Sequence, residues 1–184
     1  MTQKFIIGLS GRAGCGKDTV RKVLEEFGFA GFAFADPIRN MLRTLLTDNG
    51  ISDQYIDDRE FKEAIIPELG VSYRQMAQTL GTEWGRGLHR MFWLRLADAY
   101  MADCTDFPGH SHFVISDVRF ANEAQWVRER GGVVWRIERI DTDPVREHVS
   151  EQEFSMFTAD HVIHNDGDLE QLRQSVVDAV GSLE

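Results

Sequence analysis

Gly11-Arg12-Ala13-Gly14-Cys15-Gly16-Lys17-Asp18-Thr19 stands between an apolar run, Phe5-Ile6-Ile7-Gly8-Leu9, and the set Val20, Val23, Leu24 and Phe27. The second set has the i, i+3, i+4, i+7 spacing of an amphipathic helix. A buried strand, a glycine-rich turn and a helix N-terminus therefore follow one another. In that context G-x-x-x-x-G-K reads as a phosphate-binding loop. Glycines let backbone N–H groups curl around anionic oxygens, and the helix dipole adds partial positive charge at the same point. Gly11, Arg12, Ala13, Gly14, Cys15 and Gly16 form the cradle, and Lys17 brings a full charge to the β- and γ-phosphates. After the lysine a Ser or Thr is usual, as a Mg²⁺ ligand; here Asp18 stands there, with Thr19 next. A carboxylate serves a hard Mg²⁺ ion directly or through water, so Asp18 is the metal candidate. The bland alternative is a strand–helix turn that binds nothing.

The 184 residues suffice for one domain, expected to span 1–184, with a substantial core and inserted elements. No leader pattern and no apolar run of membrane-spanning length is present, so no membrane partner is expected. Two cysteines, Cys15 and Cys104, are too few for a disulfide framework and suit a reducing cytoplasm, that of the host if the chain is viral. Cys15 is either a thiol acidified by the helix N-terminus or simply a small residue whose backbone matters. A net charge of −10 argues against nucleic acid as a partner. Anionic ligands then require a locally basic cleft, which makes each arginine worth placing.

Along the chain, Phe32-Ala33-Phe34-Ala35 reads as a short strand. Asp36-Pro37 then opens a helix with Ile38, Met41, Leu42, Leu45 and Leu46 on its apolar face and Arg39 and Arg43 on another. Residues 51–70 are acidic and aperiodic, either a mobile, partly helical insertion or a solvated charged face. Ser72 is an N-cap candidate for a helix in which Tyr73, Met76, Ala77 and Leu80 face inward and Arg74 and Gln78 share another side. Gly81-Thr82 ends it. Trp93, Leu96, Ala97, Tyr100 and Met101 trace the next stripe. Phe113-Val114-Ile115-Ser116 is a buried strand with Asp117 at its carboxyl end, where ligands of doubly wound sheets bind. Asp117 is thus a site candidate or the N-cap of the helix that bears Phe120, Ala124 and Val127. Residues 133–140 form a further strand that carries Arg136 and Arg139, and 141–158 suit a lid. Val162-Ile163 is a terminal strand, and Leu169, Leu172, Val176, Val180 and Leu183 mark the closing helix. The alternation implies an α/β fold: a parallel β-sheet flanked by helices. The histidines (His110, His112, His161, His164) complete no zinc set.

Several stretches, in this order, resemble the phage-type deoxynucleoside monophosphate kinases, members of the P-loop nucleotide kinases. They are Ser10-Gly11 with Gly16-Lys17-Asp18-Thr19; Pro37-Ile38-Arg39; Arg74-Gln75-Met76-Ala77-Gln78-Thr79-Leu80-Gly81-Thr82; Phe92-Trp93-Leu94-Arg95-Leu96; and Asp117-Val118-Arg119 with Glu123. Gly131-Gly132-Val133-Val134, His148-Val149-Ser150-Glu151 and Asn165-Asp166-Gly167-Asp168-Leu169-Glu170 complete the set. Asp after the loop lysine belongs to that family's pattern. The resemblance implies a P-loop kinase with a helical monophosphate-binding insertion, about 47–90, and a short lid. It implies ATP and Mg²⁺ as cofactors and a small nucleotide as substrate; a homodimer is left open. Carried over, the loop from Gly11 to Thr19 holds the ATP phosphates and Asn165 lies near the ATP base. Arg39, Arg74, Gln78, Thr82, Trp93, Asp117, Arg119 and Glu123 shape the monophosphate site. Arg139 and the His148 segment belong to the lid, and Lys62 or Arg59 closes over the monophosphate.

The expected chemistry is direct in-line transfer, in which Lys17, Arg119 and Arg139 stabilise the moving phosphoryl group and Asp117 orients the acceptor phosphate. Two rivals stand beside it: another small-molecule kinase of the dephospho-coenzyme A or phosphomevalonate type, and a non-catalytic ATP-binding regulatory module.

Overall fold

The computed structural model describes residues 5–58, 60–106, 111–140 and 157–183. They fall into two compact units, one built from the chain up to Ala33 and from Met101 onward, the other from Phe34–Tyr100.

The first unit holds a five-stranded, wholly parallel sheet. Its strands are β1 (Phe5–Ser10), β2 (Ala30–Phe32), β5 (His112–Ile115), β6 (Val133–Glu138) and β7 (His161–His164), in the order β2-β5-β1-β6-β7. β1 is central because it is buried on both faces. Ile7 and Leu9 pack with Val20, Val23 and Leu24 of α1 (Lys17–Glu26) and with Leu172, Val176 and Ala179 of the closing helix α7 (Leu169–Gly181). On the other face, a Cβ placed on Gly8 would come within 2.8 Å of Val118 and 3.2 Å of Val127, so only glycine lets α6 (Ala121–Glu129) sit this close. An α/β fold with a parallel sheet between helices is thus what the chain forms.

Several details differ from the sequence reading. β2 lies at Ala30–Phe32 rather than 32–35, because its parallel partner β5 ends at Ile115. Phe32 pairs with Ile115, and the next amide, Ser116 N–H, closes on Phe32 O at 3.1 Å, so there is no ladder left for Phe34 and Ala35. β6 ends at Glu138, opposite His164, the last residue of β7. In α7, Leu169 is exposed and the buried stripe is Leu172, Val176 and Ala179.

The second unit is helical. α2 (Asp36–Thr47) buries Ile38, Leu42 and Leu46, one residue per turn, whereas Met41 and Leu45, expected inward, are exposed. The acidic stretch that follows is ordered into α3 (Gln54–Asp57), a single 3₁₀ turn (Phe61–Glu63) and a two-residue hairpin of β3 (Ile65–Ile66) and β4 (Val71–Ser72). Ser72 caps α4 (Tyr73–Gln78), its hydroxyl accepting from Gln75 N–H at 3.2 Å. Gly81-Thr82 does not end the helix. A π-helix continues through Thr79–Arg86, because Trp93 Nε1 donates to the Gly81 carbonyl at 2.8 Å and the indole packs on Gly85. α5 (Phe92–Asp106) buries Trp93, Leu94, Ala97 and Met101, while Leu96 and Tyr100 are exposed.

Candidate active site

In the sheet unit, the turn between β1 and α1 has positive φ at Gly11 (146°), Gly14 (79°) and Gly16 (106°), values that favour glycine. A Cβ on Gly11 would lie 2.5 Å from Ile137 O, and one on Gly16 would lie 2.4 Å from Asn165 Nδ2. The loop therefore rests directly on β6 and on the residue after β7. From Ala13 to Asp18, among the described residues, the Cys15 amide is the only one with a backbone acceptor, Arg12 O at 3.3 Å. The remaining amides, at the N-terminus of a ten-residue helix, are donors suited to an anion.

Lys17 Nζ donates to Gly11 O and to Arg12 O, each at 2.7 Å, and lies 3.7 Å from Cys15 Sγ. Burial is the largest influence on this ammonium and pushes its pKa below the ordinary lysine value. Arg119 adds to the depression, while Cys15 and Asp18 oppose it. Two cations thus share one neighbourhood. Asp18 is exposed on the first turn of α1, with Thr19 beside it. Cys15 is 1% exposed and belongs to the core cluster, which favours the reading of a small packed residue over that of a reactive thiol.

Asp117 is half-buried at the carboxyl end of β5 and is not the N-cap of α6. That position is Phe120, and the cap is supplied from within the helix. The Glu123 carboxylate accepts from Arg119 N–H at 2.8 Å and Phe120 N–H at 3.1 Å and is itself buried. Glu123, one of the expected substrate-site residues, thus fixes the backbone that carries Arg119. The Arg119 side chain is exposed.

Beside the loop, a cleft of about 560 Å³ is lined by Arg12, Cys15, Arg136, Arg139, His164 and Asp166, among others. Asn165, expected near a base, does not line it; its neighbours do. Its side chain turns to the loop instead, with Nδ2 donating to Cys15 O at 2.9 Å. The anticipated lid falls largely on residues 141–156, outside the described residues, as does the His148 segment.

In the helical unit, Arg39 pairs with Asp36 at 2.8 Å, and Arg43 reaches Asp57 at 2.6 Å and Asp53 at 3.4 Å. Arg74 pairs with Glu63. Burial raises the pKa of the Tyr73 phenol, and the charges of Arg39, Arg43 and Arg74 oppose that rise. Tyr73 reads as core in the sequence, since a phenol on an inward stripe carries no sign of the charges that act on it. Gln78 is half-buried at the end of α4, Thr82 is exposed on the π-helix, and Lys62 lies on the 3₁₀ turn; Arg59 is outside the described residues. Trp93, expected to contact substrate, is buried as the pin of the π-helix. The exposed ring of that cluster is Trp84, 5.4 Å from Phe92 and 6.3 Å from Trp93 between centroids. Among the described residues no group of three or more His, Cys, Asp or Glu forms a metal cage. No helix there is long and apolar enough to cross a membrane.

A glycine-rich loop joining the first, central strand of a parallel sheet to a helix, with a lysine at its end, defines the P-loop nucleotide-binding class. Within that class the chain belongs to the deoxynucleotide monophosphate kinase family, whose profile matches residues 43–176. That match begins beyond the phosphate loop, so loop and family are separate observations. A protein of Acanthamoeba polyphaga mimivirus that carries the same family name is 32% identical over 189 residues, covering 95% of both chains. The deoxynucleotide monophosphate kinase of Escherichia phage RB69 is 31% identical over 108 residues, or 57% of this chain and 43% of that one. Among solved structures, TT1252 from Thermus thermophilus shares the fold, with a TM-score of 0.55 at 16% identity over 99% of each chain.

Proposed function

We propose that this protein transfers the γ-phosphoryl group of ATP to the phosphate of a deoxynucleoside monophosphate, releasing the diphosphate and ADP. The observation that carries the reading is Lys17. Its ammonium is partly desolvated near Arg119 at a helix N-terminus and is held by two carbonyls and the Cys15 sulfur of its own loop. A polyphosphate supplies oxygens for that ammonium and for the amides around it.

The roles follow from what each side chain can do. The loop from Gly11 to Thr19 binds the donor phosphates, and the Arg12, Arg136 and Arg139 side of the cleft takes the rest of the donor nucleotide. Lys17, Arg119 and Arg139 stabilise charge on the transferred group, and Asp117 orients the acceptor phosphate. Arg39 and Arg74 bind the acceptor monophosphate; Gln78, Thr82 and Lys62 complete its surroundings, and Trp84 rather than Trp93 offers a ring to the base. The helical unit includes the 47–90 stretch that we read as the monophosphate-binding insertion, and 141–158 as the lid. The donor set also fits Mg²⁺, which keeps several waters and takes only one or two protein oxygens beside phosphates. Asp18, directly or through water, and Thr19 would hold it, and the ion would neutralise charge on the phosphates. No protein nucleophile is required.

The test is ADP formation from ATP and Mg²⁺ with each deoxynucleoside monophosphate added in turn and ribonucleotides as controls. Stimulation by one or more, with the matching diphosphate appearing, is the expected result. ATP binding without stimulation by any of them would overturn the choice of acceptor.

A further inference from the structure

Asn165 is buried, and both of its ends are committed. Its backbone N–H donates to Glu138 O at 2.7 Å, which extends the β6–β7 pairing by one residue. Its side-chain Nδ2 donates to Cys15 O at 2.9 Å, across 150 residues of sequence. A Cβ on Gly16 would lie 2.4 Å from that same nitrogen. The amide is therefore in contact with the loop backbone on both sides of the Cys15–Gly16 peptide.

The orientation of a peptide unit is set by where its carbonyl is held. Holding Cys15 O against Asn165 directs the N–H of the same peptide unit, that of Gly16, to the opposite side. Trans peptide planarity makes the two antiparallel. The Gly16 amide has no acceptor among the described residues. With no side chain on Gly16 and φ at 106°, little else on the loop itself resists rotation of that unit.

We infer that Asn165 is a positioning residue for the phosphate loop. Its side-chain amide, anchored to β6, locks the Cys15–Gly16 peptide so that the Gly16 N–H faces the donor phosphates. The inference rests on the reading of the loop as the ATP site but not on the identity of the acceptor. A carboxylate of the same shape cannot donate unless protonated, and the longer Gln has no room beside Gly16.

The experiment compares wild type with Asn165→Ala and Asn165→Asp. ATP affinity is measured by calorimetric titration in Mg²⁺ with no acceptor present, alongside Tm and the KM for each substrate. Loss of the one bond that orients the peptide is expected to weaken ATP binding roughly tenfold in Asn165→Ala. The acceptor KM and Tm are expected to stay near wild type. In Asn165→Asp the affinity is expected to fall at least as far, because an ionised carboxylate has the side chain's shape but cannot donate to Cys15 O. Wild-type ATP affinity in Asn165→Ala overturns the inference, as does a joint loss of Tm and of both substrates' KM values, which would mark general structural damage. Because ATP binding is read alone, a wrong acceptor assignment leaves this result standing.

Discussion

At Lys17 the sequence puts a cation where folding partly strips its water, and that has a measurable pH signature. The ordinary lysine value is 10.5, and burial, helped by Arg119, brings the folded-state value below it. Between the folded value and 10.5 the unfolded chain binds more protons than the folded one, so stability rises with pH across that window. In buffer free of nucleotide and metal, the melting temperature of wild type should therefore gain on that of Lys17→Met as the pH climbs toward 10.5. Curves that stay parallel would contradict the assignment. At neutral pH the same variant should lose roughly 10²–10³-fold in turnover, the scale of one lost transition-state donor. Trp93 makes the complementary point. The helical stripe reads it as core, and the resemblance that adds a substrate role cannot show that its N–H already binds Gly81 O.

Among the elements, α6 shows most directly how a fold fixes the backbone beneath an exposed side chain. Glu123 sits three residues into the capped turn and gathers the amides of Arg119 and Phe120, two donors that would otherwise be orphaned at the helix start. Glu123→Ala should cost about 2 kcal/mol, near 4–8 °C in Tm for a chain of this size, and lower turnover through the displaced Arg119. A change in turnover with no change in Tm would instead return Glu123 to the substrate. Local chemistry was readable ahead of the structure: the loop glycines, the α1 stripe, the Ser72 cap and the strand before Asp117. What stayed hidden depends on partners distant in sequence. β2 stops where β5 does, the π-helix persists because of an indole contributed from the start of α5, and the Asn165 side chain reaches back to Cys15 O. The arginines of the helical unit were recognisable by type, but not the acids that Arg43 and Arg74 hold, since the acidic stretch has no periodicity to place them.

On the scale of the whole molecule, the sheet is assembled almost entirely from distant segments. Phe5 pairs with His112 and Ile7 with Val133, so the central strand has no partner nearby in the chain. Such non-local pairing slows folding and makes the last elements indispensable. A chain cut after residue 158 would lose β7 and α7, and with them Ile163, Leu172, Val176 and Ala179 of the core. Calorimetry should find no cooperative unfolding transition for it; a sharp melt would show that the remaining strands stand alone. The bond from Asn165 to Cys15 carries this into the cell. Ribosomes deliver the phosphate loop early and its anchor 150 residues later, an interval on the order of ten seconds at ordinary elongation rates. For the part of that interval before β5 is made, Phe5, Ile6, Ile7 and Leu9 wait as an unpaired apolar strand. Until then the nascent chain exposes apolar surface, and on the proposed reading its full affinity for ATP waits for the residue that follows the final strand.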